Sequence, residues 1–128
     1  MVEMMARVLV IDDQTEIREL LRLTLQAAGY DVAVAPNGRE GLEIHRERPA
    51  ELVITDIFMP EQEGLETIQE LRRQSPSPKI IAISGGGSLG TLEYLPAAQE
   101  FGADRAIGKP FDCEAMVAAV REVLSAAG

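Results

Sequence analysis

Five side chains of this 128-residue chain stand where chemistry could be done: Asp12, Asp13, Asp56, Ser84 and Lys109. Asp12 and Asp13 directly follow the apolar run ARVLVI, and Asp56 ends the run LVITD shortly before Met59-Pro60. Ser84 ends KIIAIS, and Lys109 precedes a proline. Carboxylates brought together repel one another unless a cation lies among them, and hard oxygen donors that leave room for water suit octahedral Mg²⁺. Three carboxylates, one ammonium and one Mg²⁺ sum to no net charge. A phosphoryl group arriving at Asp56 would add negative oxygens, which a metal, an ammonium and a hydroxyl donor can stabilise.

For these groups to meet, several stretches of chain must end at one place. The runs before Asp12 and Asp56 are short, apolar and rich in β-branched residues, so both read as buried strands. A carboxylate is costly inside such a core but tolerable at the open carboxyl end of a parallel strand. Taken alone, the second run also fits Asp56 as a simple turn residue. The remaining chain supplies the frame. Ile17, Leu20, Leu21 and Leu25 recur at helical spacing between a cap at Thr15 and a stop at Gly29. Residues 31–35 alternate as an edge strand does, Pro36-Asn37-Gly38 is a turn, and a second helix is predicted over 39–48. A third helix follows over 64–74, then a strand over 79–83 ending at Ser84. A fourth helix over 89–101, a short strand over 105–107, a cap at Asp112 and a helix through Met116, Val117, Val120 and Leu124 complete the chain.

Strand and helix alternate five times. This predicts an α/β fold, a single flavodoxin-like doubly wound domain with a five-stranded parallel sheet in the order 2-1-3-4-5 and five helices. That order sets the first and third strands side by side where the winding reverses and a crevice opens. All five chemical side chains fall at its rim.

Length and composition narrow the function. The chain is expected to form one domain over 1–128, with a core over about 6–126 and no output domain. With 21 acidic and 12 basic residues the formal net charge is -9, which disfavours direct nucleic-acid binding. Cys113 is the only cysteine, so no internal disulfide can form, and no Cys/His cluster offers a zinc site. The sequence lacks a signal-peptide pattern and any run long enough to span a bilayer, so a cytoplasmic location is expected.

The phrases VLVIDD, LVITDIFMP, IAIS and IGKPF, in this order and over nearly the whole chain, resemble the response-regulator receiver domain of two-component signal transduction. The resemblance implies a phosphoacceptor signalling domain rather than an enzyme, capable only of self-phosphorylation from a phosphodonor and of self-dephosphorylation. Asp56 would accept the phosphoryl group from a histidine kinase's phosphohistidine. Asp12, Asp13, Asp56 and the Phe58 backbone carbonyl would hold Mg²⁺, while Ser84 and Lys109 would contact phosphoryl oxygens. The Lys109-Pro110 bond would be cis. Phosphorylation would alter the face formed by the fourth helix, fifth strand and fifth helix. The implied partners are a sensor histidine kinase or phosphotransfer protein and a downstream protein, with the chain a monomer or weak dimer. Arg18, Leu21, Arg22 and Leu25 would form the kinase-docking face. One departure stands out: three residues before Lys109, where the family commonly has an aromatic, this chain has Ala106.

Two rivals share the pattern. A small Mg²⁺-dependent phosphohydrolase with an aspartyl-phosphate intermediate would place Asp-x-Asp after the first strand and carry a cap, whereas here the acids are adjacent. A binding-only pseudo-receiver would keep the fold without phosphotransfer. Other motifs have plainer readings. Gly85 to Gly90 matches G-x-G-x-x-G but follows the wrong strand for a dinucleotide site. His45, the only histidine, is expected to be solvated among Glu43, Arg46 and Glu47, Cys113 to serve packing, and Glu61, Glu63 and Glu66 to form a solvated rim.

Overall fold

The computed structural model describes residues 6–57, 64–74, 76–84 and 102–126. Five parallel strands, β1 (Arg7–Ile11), β2 (Asp31–Ala35), β3 (Leu52–Asp56), β4 (Lys79–Ser84) and β5 (Arg105–Gly108), form one sheet in the order β2-β1-β3-β4-β5. The described helices are α1 (Thr15–Ala27), α2 (Gly38–Glu47), α3 (Gly64–Arg73) and the C-terminal helix (Cys113–Ser125). The fourth helix expected over 89–101 lies outside the described residues.

Alternation along the strands sorts the core into two layers. Leu9, Ile11, Val53, Ile80 and Ala82 pack with Leu42 of α2 and Ile68 and Leu71 of α3. Val8, Val10, Leu52, Ile54, Ile81 and Ile83 pack with Leu21 and Leu25 of α1 and Met116 and Val120 of the C-terminal helix. Because β1, β3 and β4 are covered on both faces, they read as continuous apolar runs, while the edge strand β2 is half-buried over most of its length.

The ends of the helices are built differently from the expected pattern at two points. The N-cap of α1 is Gln14 rather than Thr15, and its side chain makes no capping bond. Asn37 is more than a turn residue: it caps α2 by accepting the Glu40 N–H at 2.8 Å, while its own amide donates to the Glu40 carboxylate at 3.0 Å. Asp112 caps the C-terminal helix as expected, accepting the Glu114 N–H at 3.0 Å.

Arg72, near the end of α3, joins three segments. It donates to the Gly102 carbonyl at 2.7 Å, to Ser77 Oγ and the Pro78 carbonyl at 2.8 Å each, and to Asp104 Oδ2 at 2.6 Å. Asp104 Oδ2 also accepts the Ile80 N–H at 2.7 Å. Gly102 has φ of 124°, and a Cβ there would meet the Arg72 side chain, so glycine serves both the backbone conformation and the close approach.

His45 corrects the sequence reading. It is buried, not solvated, and its Nδ1 accepts the Ala50 N–H at 3.0 Å where the chain turns from α2 towards β3. The helical face that carries Gly41 and Leu42 inward also carries His45. Burial lowers its pKa, so the folded protein holds the neutral ring with the proton on Nε2. The unfolded ring binds a proton more readily, so this contribution to stability is complete above the ordinary imidazole value of 6.5. It is lost as pH falls through the depressed folded value. Urea unfolding at about pH 7.5 and about pH 5.5 is expected to show a larger acid loss in the parent than in His45→Gln, which retains an acceptor but cannot titrate there. Equal losses would refute the assignment.

Candidate functional site

The sheet register brings the acids together. Ile11 lies opposite Thr55, so one further step on each strand gives Asp12 and Asp56. Asp12 continues the alternation of Val8 and Val10, Asp56 that of Leu52 and Ile54, and Lys109 follows Ile107 by two residues. All three therefore emerge on the side of α1 and the C-terminal helix. Ser84 pairs with Gly108 at the end of β4, which places its backbone one step from Lys109. Its side chain and the whole of Phe58, including the carbonyl expected to bind metal, lie outside the described residues.

Lys109 is the link. Its ammonium donates to Asp56 Oδ2 at 3.1 Å and to Gln14 Oε1 at 2.8 Å, and it forms an ion pair with Asp12 Oδ2 at 2.8 Å. The Lys109-Pro110 peptide is cis. Asp12 is fully buried and fixed on its other side, where Oδ1 accepts the Gln14 N–H at 2.8 Å. The Asp12 carbonyl accepts from Arg18 at 2.8 Å. Asp13 is exposed at the rim, and ligand oxygens of Asp12, Asp13 and Asp56 all lie within 4.8 Å of one another.

This cluster fits Mg²⁺. The donors are hard oxygens, and Asp12 Oδ2, although close to the lysine, is buried without a hydrogen-bond donor aligned on it. The exposed Asp13 leaves one side open to water.

The backbone beneath Asp56 is held tightly. The Thr55 hydroxyl donates to the Asp56 carbonyl at 3.2 Å, and the Ile57 N–H donates to the Ile83 carbonyl at 3.0 Å. Gly64, the first residue of α3, packs against this turn so closely that an added Cβ would collide with the Asp56 carbonyl oxygen and Ile57 Cα.

Sequence reasoning missed Gln14. Its position directly after the acid pair was the available signal, since a residue there must lie at the rim of the same crevice. The expected docking face on α1 also needs correction. Leu21 and Leu25 are fully buried in the core, and the exposed large apolar residues of α1 are Leu20 and Leu23, at 41% and 57% exposure. Arg22 is engaged with Glu19 and holds that carboxyl below its usual pKa.

The sheet order agrees with a fold shared by known relatives. A family model for the response regulator receiver domain matches residues 8–121. The chain belongs to that family. The receiver chain is 37% identical over 118 residues to the chemotaxis protein CheY of Thermotoga maritima, covering 91% of this chain and 96% of that protein. It is equally 37% identical over 118 residues to the probable transcriptional regulator ycf27 of Porphyra purpurea, covering 92% of this chain but 47% of the relative. The chain thus spans about half the length of the first curated relatives it matches. Among solved structures, Vibrio cholerae CheY4 superposes with a TM-score of 0.81 at 32% identity, covering 94% of this chain and 99% of that one.

Overpacking at Gly64 tests how firmly the receiver's turn is set. Gly64→Ala is expected to lower stability by about 1–3 kcal/mol in urea titration. The amide resonances of Asp56 and Ile57 should shift with it. An unchanged midpoint and unchanged resonances would show that α3 can withdraw from the site.

Proposed function

We propose that this receiver domain takes a phosphoryl group from the phosphohistidine of a sensor histidine kinase or phosphotransfer protein onto Asp56. The observation that carries the reading is the Lys109 ammonium set between the Asp56 and Asp12 carboxylates, with Asp13 at the rim. In the transfer a carboxylate oxygen of Asp56 forms a bond to phosphorus as the phosphorus–nitrogen bond of the donor breaks, and the imidazole leaves with the electron pair. Lys109 turns from its resting partners to a phosphoryl oxygen, and its charge opposes the negative charge collecting there. Ser84, from the end of β4, supplies a hydroxyl to another oxygen. Asp12, Asp13, Asp56 and the Phe58 carbonyl would hold Mg²⁺, which supplies charge neutralisation for the transferred group. Hydrolysis returns the carboxylate, so the chain is a signalling switch and not a classical enzyme.

The acting unit is a receiver over 1–128 with its core over 6–126, working in the cytoplasm as a monomer or weak dimer. The described helices include none long and apolar enough to cross a membrane. The output is contact with a downstream protein, without direct nucleic-acid binding. It is read from the face that includes β5 and the C-terminal helix. Ala106 lies half-buried in β5 opposite Ala82, so no ring at this position can report the state of Asp56. The neighbouring elements must carry the change themselves.

Intact mass after incubation with acetyl phosphate and Mg²⁺ is the direct test. The parent is expected to gain one phosphoryl group, and Asp56→Asn to gain none. No gain in the parent from either acetyl phosphate or a phosphorylated kinase would instead support a binding-only pseudo-receiver. Lys109→Ala, less stable than the parent but compared under conditions where circular dichroism shows it folded, should slow the gain by at least about tenfold, on the scale of losing one charge-stabilising group. An undiminished rate would remove Lys109 from the transfer.

A further inference from the structure

The residue next to the acid pair has a place in the site that its helix position does not explain. Gln14 is the N-cap of α1, but its side chain makes no capping bond, and glutamine is not among the favoured caps. Its carboxamide is used elsewhere. Oε1 accepts from Lys109 Nζ at 2.8 Å across 95 residues of sequence. The Gln14 backbone is fixed independently, its N–H donating to Asp12 Oδ1 at 2.8 Å and its carbonyl accepting the Arg18 N–H at 3.0 Å. The side chain therefore rises from a rigid base to hold the lysine.

Of the three oxygens that the described residues place around the Lys109 ammonium, those of Asp12 and Asp56 are carboxylate and buried, whereas that of Gln14 is neutral and belongs to an exposed residue. A phosphoryl oxygen on Asp56 carries charge and competes for the same ammonium. Charge-assisted bonds are roughly twice as strong as neutral ones, so the partner that yields is the carboxamide. We infer that Gln14 is a positioning residue that competes with the phosphoryl group for Lys109, and so sets how strongly this receiver favours its unphosphorylated state. The inference rests on the phosphoacceptor reading of Asp56. A bond made only in the resting state biases the equilibrium towards rest by its own strength.

Binding of beryllofluoride, a stable stand-in for the phosphoryl group, measures this bias in the full chain with saturating Mg²⁺. Gln14→Met keeps the length and removes the acceptor. It should tighten beryllofluoride binding by at least about tenfold, the scale of one hydrogen bond to a charged group. Gln14→Glu places a carboxylate beside the ammonium, holds Lys109 harder and repels the incoming anion. It should weaken binding by about tenfold or more. Both variants should keep the parent's fold by circular dichroism, because the side chain caps nothing, while Gln14→Met melts a few degrees lower for loss of the Lys109 bond. A role confined to the start of α1 would move both variants in one direction, and that result, or no change in either, would overturn the inference. Should the parent itself fail to bind beryllofluoride, the phosphoacceptor reading falls first and this inference with it.

Discussion

Lys109 reaches across the mouth of the sheet to two carboxylates that come from strands far apart in sequence, and its side chain is only 8% exposed. Two buried acids at hydrogen-bonding range of one another's partner are tolerable because this ammonium lies between them. Removing one member of such a buried charged group typically costs roughly 3–5 kcal/mol, since the remaining charges lose their compensation. The site is thus held in tension: acids dense enough to bind a divalent cation, and one lysine that keeps them together. Among the described residues, three oxygens of unequal charge surround this ammonium, two from carboxylates and one from the Gln14 carboxamide.

The sheet supplies the fixed geometry. Parallel pairing of β1 with β3 and of β4 with β5 sets the ends of four strands at one level, and the period of two sends Asp12, Asp56 and Lys109 to one face. The layer under α1 and the C-terminal helix is therefore the one that shares side chains with the site. The layer under α2 and α3 meets it, among the described residues, at the Gly64 contact on the backbone of Asp56 and Ile57. Glycine is the one residue that allows that contact.

Much of this was legible in the sequence because the signals are local and periodic. Apolar runs of strand length ending in acids located β1 and β3, and the strict alternation of strand and helix forced a parallel sheet with one crevice. The expected gathering of Asp12, Asp13, Asp56 and Lys109 followed from topology alone. What remained hidden depends on contacts between distant residues. His45 sits in a polar helical stretch, and only the turn into β3 reveals that the Ala50 N–H needs its ring. Leu21 and Leu25 belong to the buried stripe of α1, while Leu20 and Leu23 flank it; spacing alone does not say which stripe meets the sheet. Gln14 carries no motif, and its meaning comes from a lysine 95 positions away.

Arg72 has a consequence for where the site takes its position. By gripping Gly102 and Asp104, it fixes the chain where it re-enters the sheet, and the Asp104 carboxylate ties that point to Ile80 at the start of β4. The origin from which β5 is measured is therefore α3 and β4, not the connection between Ser84 and Gly102. Such an anchor references β5, and the lysine that follows it, to α3 and β4, so the site inherits its coordinates from the sheet and from a guanidinium on its opposite layer.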